Sequence, residues 1–119
     1  MKQSELNKKM LEMIPDLIDG FNKICDELDG LDTGSTIVIE DVFMPFFIKS
    51  FETNDANGLN KAISFIEWLS NYYDDEYAGD VLVICVYEYI HYHKYEKQLV
   101  DVLGSQAAKQ YSLIKWQSL

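Results

Sequence analysis

The chain has 119 residues, with twenty carboxylates, ten lysines and no arginine, for a net charge of −10 and a pI near 4.4. It lacks the basic face that nucleic acid or an anionic membrane surface would need, and its field favours approach of a basic protein, with solubility as the alternative role for the charge. Apolar residues at 48% and charged residues at 25% are ordinary for a globular domain and argue against disorder; a chain of this size buries roughly 65% of its unfolded surface, enough for one core.

In chain order, Ser4 is placed to cap a first helix. Leu6, Met10, Met13, Leu17, Phe21, Ile24 and Leu28 then recur at three- and four-residue spacing. Pro15 divides this stripe, because proline starts a helix more easily than it continues one; Asp16 and Asp19 then fall in a new first turn, where the helix dipole favours carboxylates. Gly20 is unfavourable in that second helix unless another helix packs close against it. Residues 30–35 (GLDTGS) are a loop. TIVIE at 36–40 is the one β-branched run, and with no partner strand evident it reads as an extended segment leading into a helix. That helix is expected to have an Asp41 cap, Pro45 in its first turn and Val42, Phe43, Phe46, Phe47 and Phe51 on its apolar face.

TNDANG at 53–58 is a second loop. Leu59, Ile63, Ile66, Leu69 and Tyr73 define an amphipathic helix with Lys61, Glu67 and Asn71 outward. YYDDEYA at 72–78 turns into a central helix, expected at about 75–96, whose early part (VLVICVY, 81–87) is apolar all round and therefore surrounded by other helices. Leu99, Val102 and Leu103 precede Gly104, which reads as a helix stop; Ser105 then caps a final helix carrying Ala108, Tyr111, Ile114 and Trp116. The expected fold is all-α: one domain over 1–119, a bundle of five to seven helices joined by short polar loops around the buried central helix.

The motifs of chemistry are sparse. Glu88 and His91, at i and i+3, have the spacing with which bundle proteins aim two metal ligands inward, but a second such pair is missing. His91 and His93 are about 200° apart on a helix and cannot share one ion. Cys25 and Cys85 sit in apolar helical context with no CxxC spacing; both read as small buried hydrophobes, and Cys85 as an inert thiol. There is no P-loop, GxGxxG, HExxH or nucleophile elbow. No cofactor or metal is expected. The N-terminus has no apolar signal region and no apolar run reaches the length of about 18–20 residues that a membrane helix needs, so the chain reads as cytoplasmic.

Tyrosine is the unusual feature. Seven of the eight lie at Tyr72, Tyr73, Tyr77, Tyr87, Tyr89, Tyr92 and Tyr95. Tyr89 and Tyr92 share a face with Cys85 and Val81, so some of these rings must be core, packed with the hydroxyl reaching the edge. Rings that stay exposed among acids would suit a protein interface, since tyrosine offers rigid area with a polar tip. Tyr73, Asp74, Asp75, Glu76, Tyr77 and Asp80 form one acidic-aromatic patch at the start of the central helix; Glu88, Tyr92 and Tyr95 form a second near its end, and Glu67 is a further outward carboxylate. An acid run beside a helix start can also serve only as a dipole-matched cap.

The C-terminal half, with VLVICVYEYIHY followed by a short helix, a Leu-Gly break and LVDVLGSQAAKQYSLIKW, resembles the small acidic all-helical immunity proteins of bacterial toxin systems. The resemblance covers about a third of the chain and has no diagnostic motif. It implies a non-enzymatic inhibitor that binds a cognate toxin and blocks its active site or substrate access, with no catalytic residues. The expectation is thus a non-catalytic binding protein that occludes a basic partner with an acidic, tyrosine-rich face. A homodimer is compatible with this. A secretion chaperone, a phage-encoded inhibitor, and a metal-dependent bundle enzyme using Glu88 and His91 are the alternatives.

Overall fold

In the computed structural model, which describes residues 1–25 and 30–116, the first apolar stripe breaks at Ile14. Helix α1 spans Gln3–Met13, Pro15–Leu17 form a single tight turn, and α2 spans Ile18–Ile24. Pro15 sits where its missing N–H costs nothing. Ser4 falls inside α1 instead of capping it; Lys2 occupies the cap position, and its N–H donates to Glu5 Oε1 at 3.3 Å. Leu28, the last residue expected on this stripe, lies outside the described residues.

The loop at 30–34 is held to α1 by one buried amide. Asn7 Nδ2 donates to the carbonyls of Leu31 (3.0 Å) and Thr33 (2.8 Å), and its Oδ1 accepts from Ser35 Oγ at 3.2 Å. A buried amide left without such partners would be strongly unfavourable. This anchor sets the point at which the next helix begins.

Helix α3 covers 35–52 without interruption, as Ser35–Val38, Ile39–Phe43 and Met44–Glu52. The TIVIE run is therefore helical, not extended. Val38 and Ile39 are fully buried, and that burial outweighs the few tenths of a kcal/mol by which β-branched residues disfavour helix. Asp41 is not a cap and Pro45 is not in a first turn. Over Ile39–Phe43 the backbone widens, with the Met44 N–H bonding to the Ile39 carbonyl five residues back. A regular turn would drive the Pro45 ring into the carbonyl four residues earlier; the wide turn accommodates it.

Asp55 caps α4 (Ala56–Ser70) by accepting the Gly58 N–H at 3.1 Å. The central helix α5 covers 76–91, as Glu76–Val81, Leu82–Tyr87 and Glu88–His91. It too is widened in the middle: the Glu88 N–H bonds to the Val83 carbonyl. It ends at His91, five residues short of the expected boundary, where the chain tightens and the His93 N–H bonds to the Ile90 carbonyl at 3.1 Å. Helices α6 (Glu96–Val102) and α7 (Ser105–Leu113) follow. Trp116 lies beyond α7, not on it. The described residues thus form seven helices and no strand, an all-α bundle within the expected range.

The centre of α5 is the core. Ala78, Leu82, Val86, Tyr87 and Ile90 are all fully buried, against Phe43 and Phe47 of α3 and Phe65, Ile66 and Leu69 of α4. The phase of α5 differs from a regular helix. Over Leu82–Tyr87 each residue advances less round the axis, because the bonds span five residues instead of four. Tyr87 is consequently the wholly buried tyrosine, Tyr89 is half-buried, and Tyr92 is 68% exposed. Tyr92 lies just past the end of α5, so the helical face it was expected to share with Cys85 and Val81 does not extend to it.

Two glycines separate close packing from mere tolerance. A Cβ on Gly79, in the first turns of α5, would lie 2.3 Å from the Tyr73 carbonyl oxygen, whereas one on Gly20 would meet only Val42 Cγ1 at 3.6 Å. Gly79→Ala should therefore cost about 2 kcal/mol or more, and Gly20→Ala should stabilise by about 0.5–1 kcal/mol through helix propensity. Urea unfolding of the two variants checks this; equal effects would contradict it.

Candidate functional site

The start of α5 is partly committed to structure. Asp75 caps the helix, its Oδ2 accepting the Ala78 N–H at 2.9 Å, while its Oδ1 pairs with the Met1 amino group at 2.7 Å. The Ala78 N–H first, and the amino group second, hold the Asp75 carboxyl below the usual carboxylate range. Tyr77 is also engaged: its oxygen accepts the Ser35 N–H at 3.1 Å and its hydroxyl donates to Gln3 Oε1 at 3.4 Å. What this end offers to solvent is Tyr73, Asp74, Glu76 and Asp80, all exposed.

Glu67 is likewise occupied. Its carboxylate accepts the N–H groups of Ala107 (2.8 Å) and Gln106 (3.2 Å) at the start of α7, and the Ser70 hydroxyl at 3.3 Å. Ser105 makes no side-chain cap there, so the carboxylate from α4 does the capping. Gly104 is the residue that allows it, since a Cβ there would lie 2.3 Å from Glu67 Oε2. Tyr95 packs on Phe51, ring centroids 5.8 Å apart, with Lys94 Nζ 5.1 Å from its own ring.

The C-terminal segment closes over a small polar cluster. His91 Nδ1 lies 2.8 Å from Glu96 Oε2, which also accepts the Tyr111 hydroxyl, and Trp116 stacks on His91 at 4.3 Å with an interplanar angle of 7°. The Tyr111 bond, and after it His91, keeps the Glu96 carboxyl below its ordinary range. Next to it, Tyr87 donates to Gln110 Oε1 at 2.8 Å and Gln110 Nε2 donates to the Ser70 carbonyl at 2.9 Å. His91 is thus drawn into the C-terminal packing through Glu96 and Trp116.

Glu88 and Tyr92 remain together, and α3 adds what sequence reasoning missed. They line an open groove of about 700 Å³ with Glu40, Asp41 and Pro45 of α3 and Ile84, Tyr89 and His93. The groove lies across the widened stretches of both helices, which pack against each other. None of Glu40, Asp41 or Glu88 makes an ion pair among the described residues. Ile84 is 51% exposed and Tyr92 68%. Beneath the groove, Cys85 has its thiol pushed up to about 12, first by burial and then by the charge on Glu40, with Glu88 adding to it; it stays protonated at neutral pH. The adjacent acids in TIVIEDVF were the only sequence signal for Glu40 and Asp41, and reading 36–40 as extended hid their face.

Three carboxylates without cations, beside exposed tyrosine and isoleucine, can attract a cation and give its aliphatic stem apolar surface. Compared with known protein families, curated proteins and solved structures, the chain matches none.

Two substitutions check the structural roles. Glu67→Ala should lower stability by about 1–2 kcal/mol, the cost of a lost helix cap, read by urea unfolding at neutral pH. For Glu96 the sign follows from its depressed pKa. Its contribution is fully present above its unfolded value and is lost as pH falls through its folded value. Glu96→Gln should therefore destabilise at about pH 7, and its cost should shrink as pH falls below the ordinary carboxylate range, measured by the same unfolding over a pH series.

Proposed function

We propose that this protein is a non-catalytic, protein-binding inhibitor of a basic partner, and specifically an immunity protein that neutralises a cognate bacterial toxin by occlusion. The observation that carries this reading is the groove between α3 and α5, where uncompensated Glu40, Asp41 and Glu88 stand beside exposed Ile84 and Tyr92. The net charge of −10 adds long-range attraction for a basic surface. The exposed Tyr73, Asp74, Glu76 and Asp80 extend the acidic, tyrosine-bearing surface at the other end of α5. The function requires a helical scaffold and a face, and the capping carboxylates Asp75 and Glu67 are distinct from the groove acids.

Cytoplasmic action belongs to the same proposal. Cys25 and Cys85 are buried free thiols, which suits a reducing compartment. No helix among the described residues is long and apolar enough to cross a membrane.

The tagged protein, used as bait at low salt in its native host, should recover a basic protein whose activity it abolishes at stoichiometric ratio. The association rate should fall roughly tenfold or more as salt rises from about 50 mM to about 500 mM. A bound partner whose activity is untouched, or the absence of any partner at low salt, would sink the inhibitor reading. A salt-independent rate would remove its electrostatic half.

A further inference from the structure

Resting on that reading, we propose that the α3–α5 groove takes an arginine side chain from an exposed segment of the basic partner. The groove supplies two kinds of contact at once. Glu40, Asp41 and Glu88 give carboxylates with no competing lysine among the groove residues. Tyr89 and Tyr92 give ring faces, and Ile84 gives exposed aliphatic surface.

The aromatic wall is braced. His93 stacks on Tyr89 with centroids 6.3 Å apart and planes 15° apart, and the Tyr95 N–H fixes His93 by donating to its Nδ1 at 3.1 Å. Bracing of Tyr89 lowers the ordering cost of binding at that ring. The floor is fixed as well, because the widened turns of α3 and α5 are packed against each other and Cys85 beneath them is buried. Turns of this wide kind are frequently found at functional sites.

A guanidinium uses both features of such a groove: it pairs with carboxylates through parallel N–H donors and stacks flat on aromatic rings, while its stem covers apolar surface. A lysine ammonium shares the charge and the apolar stem, but it pairs as a point charge and has no flat face to stack on a ring. A second copy of this chain is a poor occupant, since each copy carries −10 and the groove would face another acidic surface. Phosphate-bearing ligands are repelled for the same reason.

The test uses a capped short peptide with one arginine between leucines, and the same peptide with lysine. Titrated into the isotopically labelled full chain, the arginine peptide should shift the amide signals of residues 40, 41, 84, 88, 89 and 92, and bind at least about threefold more tightly than the lysine peptide. Glu40→Gln/Glu88→Gln should weaken it roughly tenfold or more. Asp19→Asn/Asp101→Asn, which removes the same two charges from exposed sites elsewhere, should leave it within about twofold.

Equal weakening by both pairs would mean that binding follows net charge, and would overturn the groove assignment. Shifts confined to other residues, or no shift at millimolar peptide, would overturn it too, and equal affinity for lysine would overturn the choice of arginine. Wild-type mapping needs no variant, so a misfolded mutant cannot decide the outcome. Recovery of an inhibited basic partner that binds the Glu40/Glu88 variant as tightly as wild type would discard the groove and leave the inhibitor reading intact.

Discussion

Two helices, 35–52 and 76–91, each contain a stretch whose backbone bonds reach five residues back, and the two stretches lie against each other. Much else follows from this contact. In the first helix the wide turn accommodates Pro45 without ending the helix. In the second it shifts the phase as Tyr87 enters the core, while Tyr92, past the end of the helix at His91, stays exposed. Because the shift occurs in both partners, it brings acids from both helices to the mouth of the same groove.

The polar groups of the surface divide into two populations. Asp75, Tyr77, Glu67 and Glu96 are spent on the scaffold: a helix cap joined to the amino terminus, a cross-link to the 35–52 helix, a cap for the last helix, and an acceptor for Tyr111 and His91. Asp75 and Glu96 gain from being charged, because N–H or O–H donors point at them. Glu40, Asp41 and Glu88 have neighbours of their own sign and no cation. It is this second population that the proposed basic partner would meet.

How far the sequence reads depends on the range of the interaction. The apolar runs at 6–24 and 59–69 marked their helices because their periodicity is set by the helix itself, and Pro15, Gly104 and the Asp-rich turns marked breaks because those residues restrict or relax the local backbone. TIVIE misled for the opposite reason: its propensity is local and weak, whereas burial of Val38 and Ile39 is a tertiary gain. The end of the central helix was placed too late because EYIHYHKYEK has no glycine or proline to signal a stop.

The candidate site was half legible. Glu88 and Tyr92 stood out within one aromatic, acidic stretch. Glu40 and Asp41 did not, because their partners lie more than forty residues along the chain and meet them only through helix packing. Glu67 proved to cap a helix about forty residues further on, which no local spacing reveals, while Asp75 took the cap role that its place at a helix start had left open. The amino-acid sequence by itself determined the helical class, the acidity and the buried centre of the 76–91 helix, all of which follow from composition and short-range periodicity. Only the tertiary structure decided which carboxylates are neutralised and which stay open, because that choice depends on donors brought from elsewhere in the chain, and on a change of helical phase that no local pattern encodes.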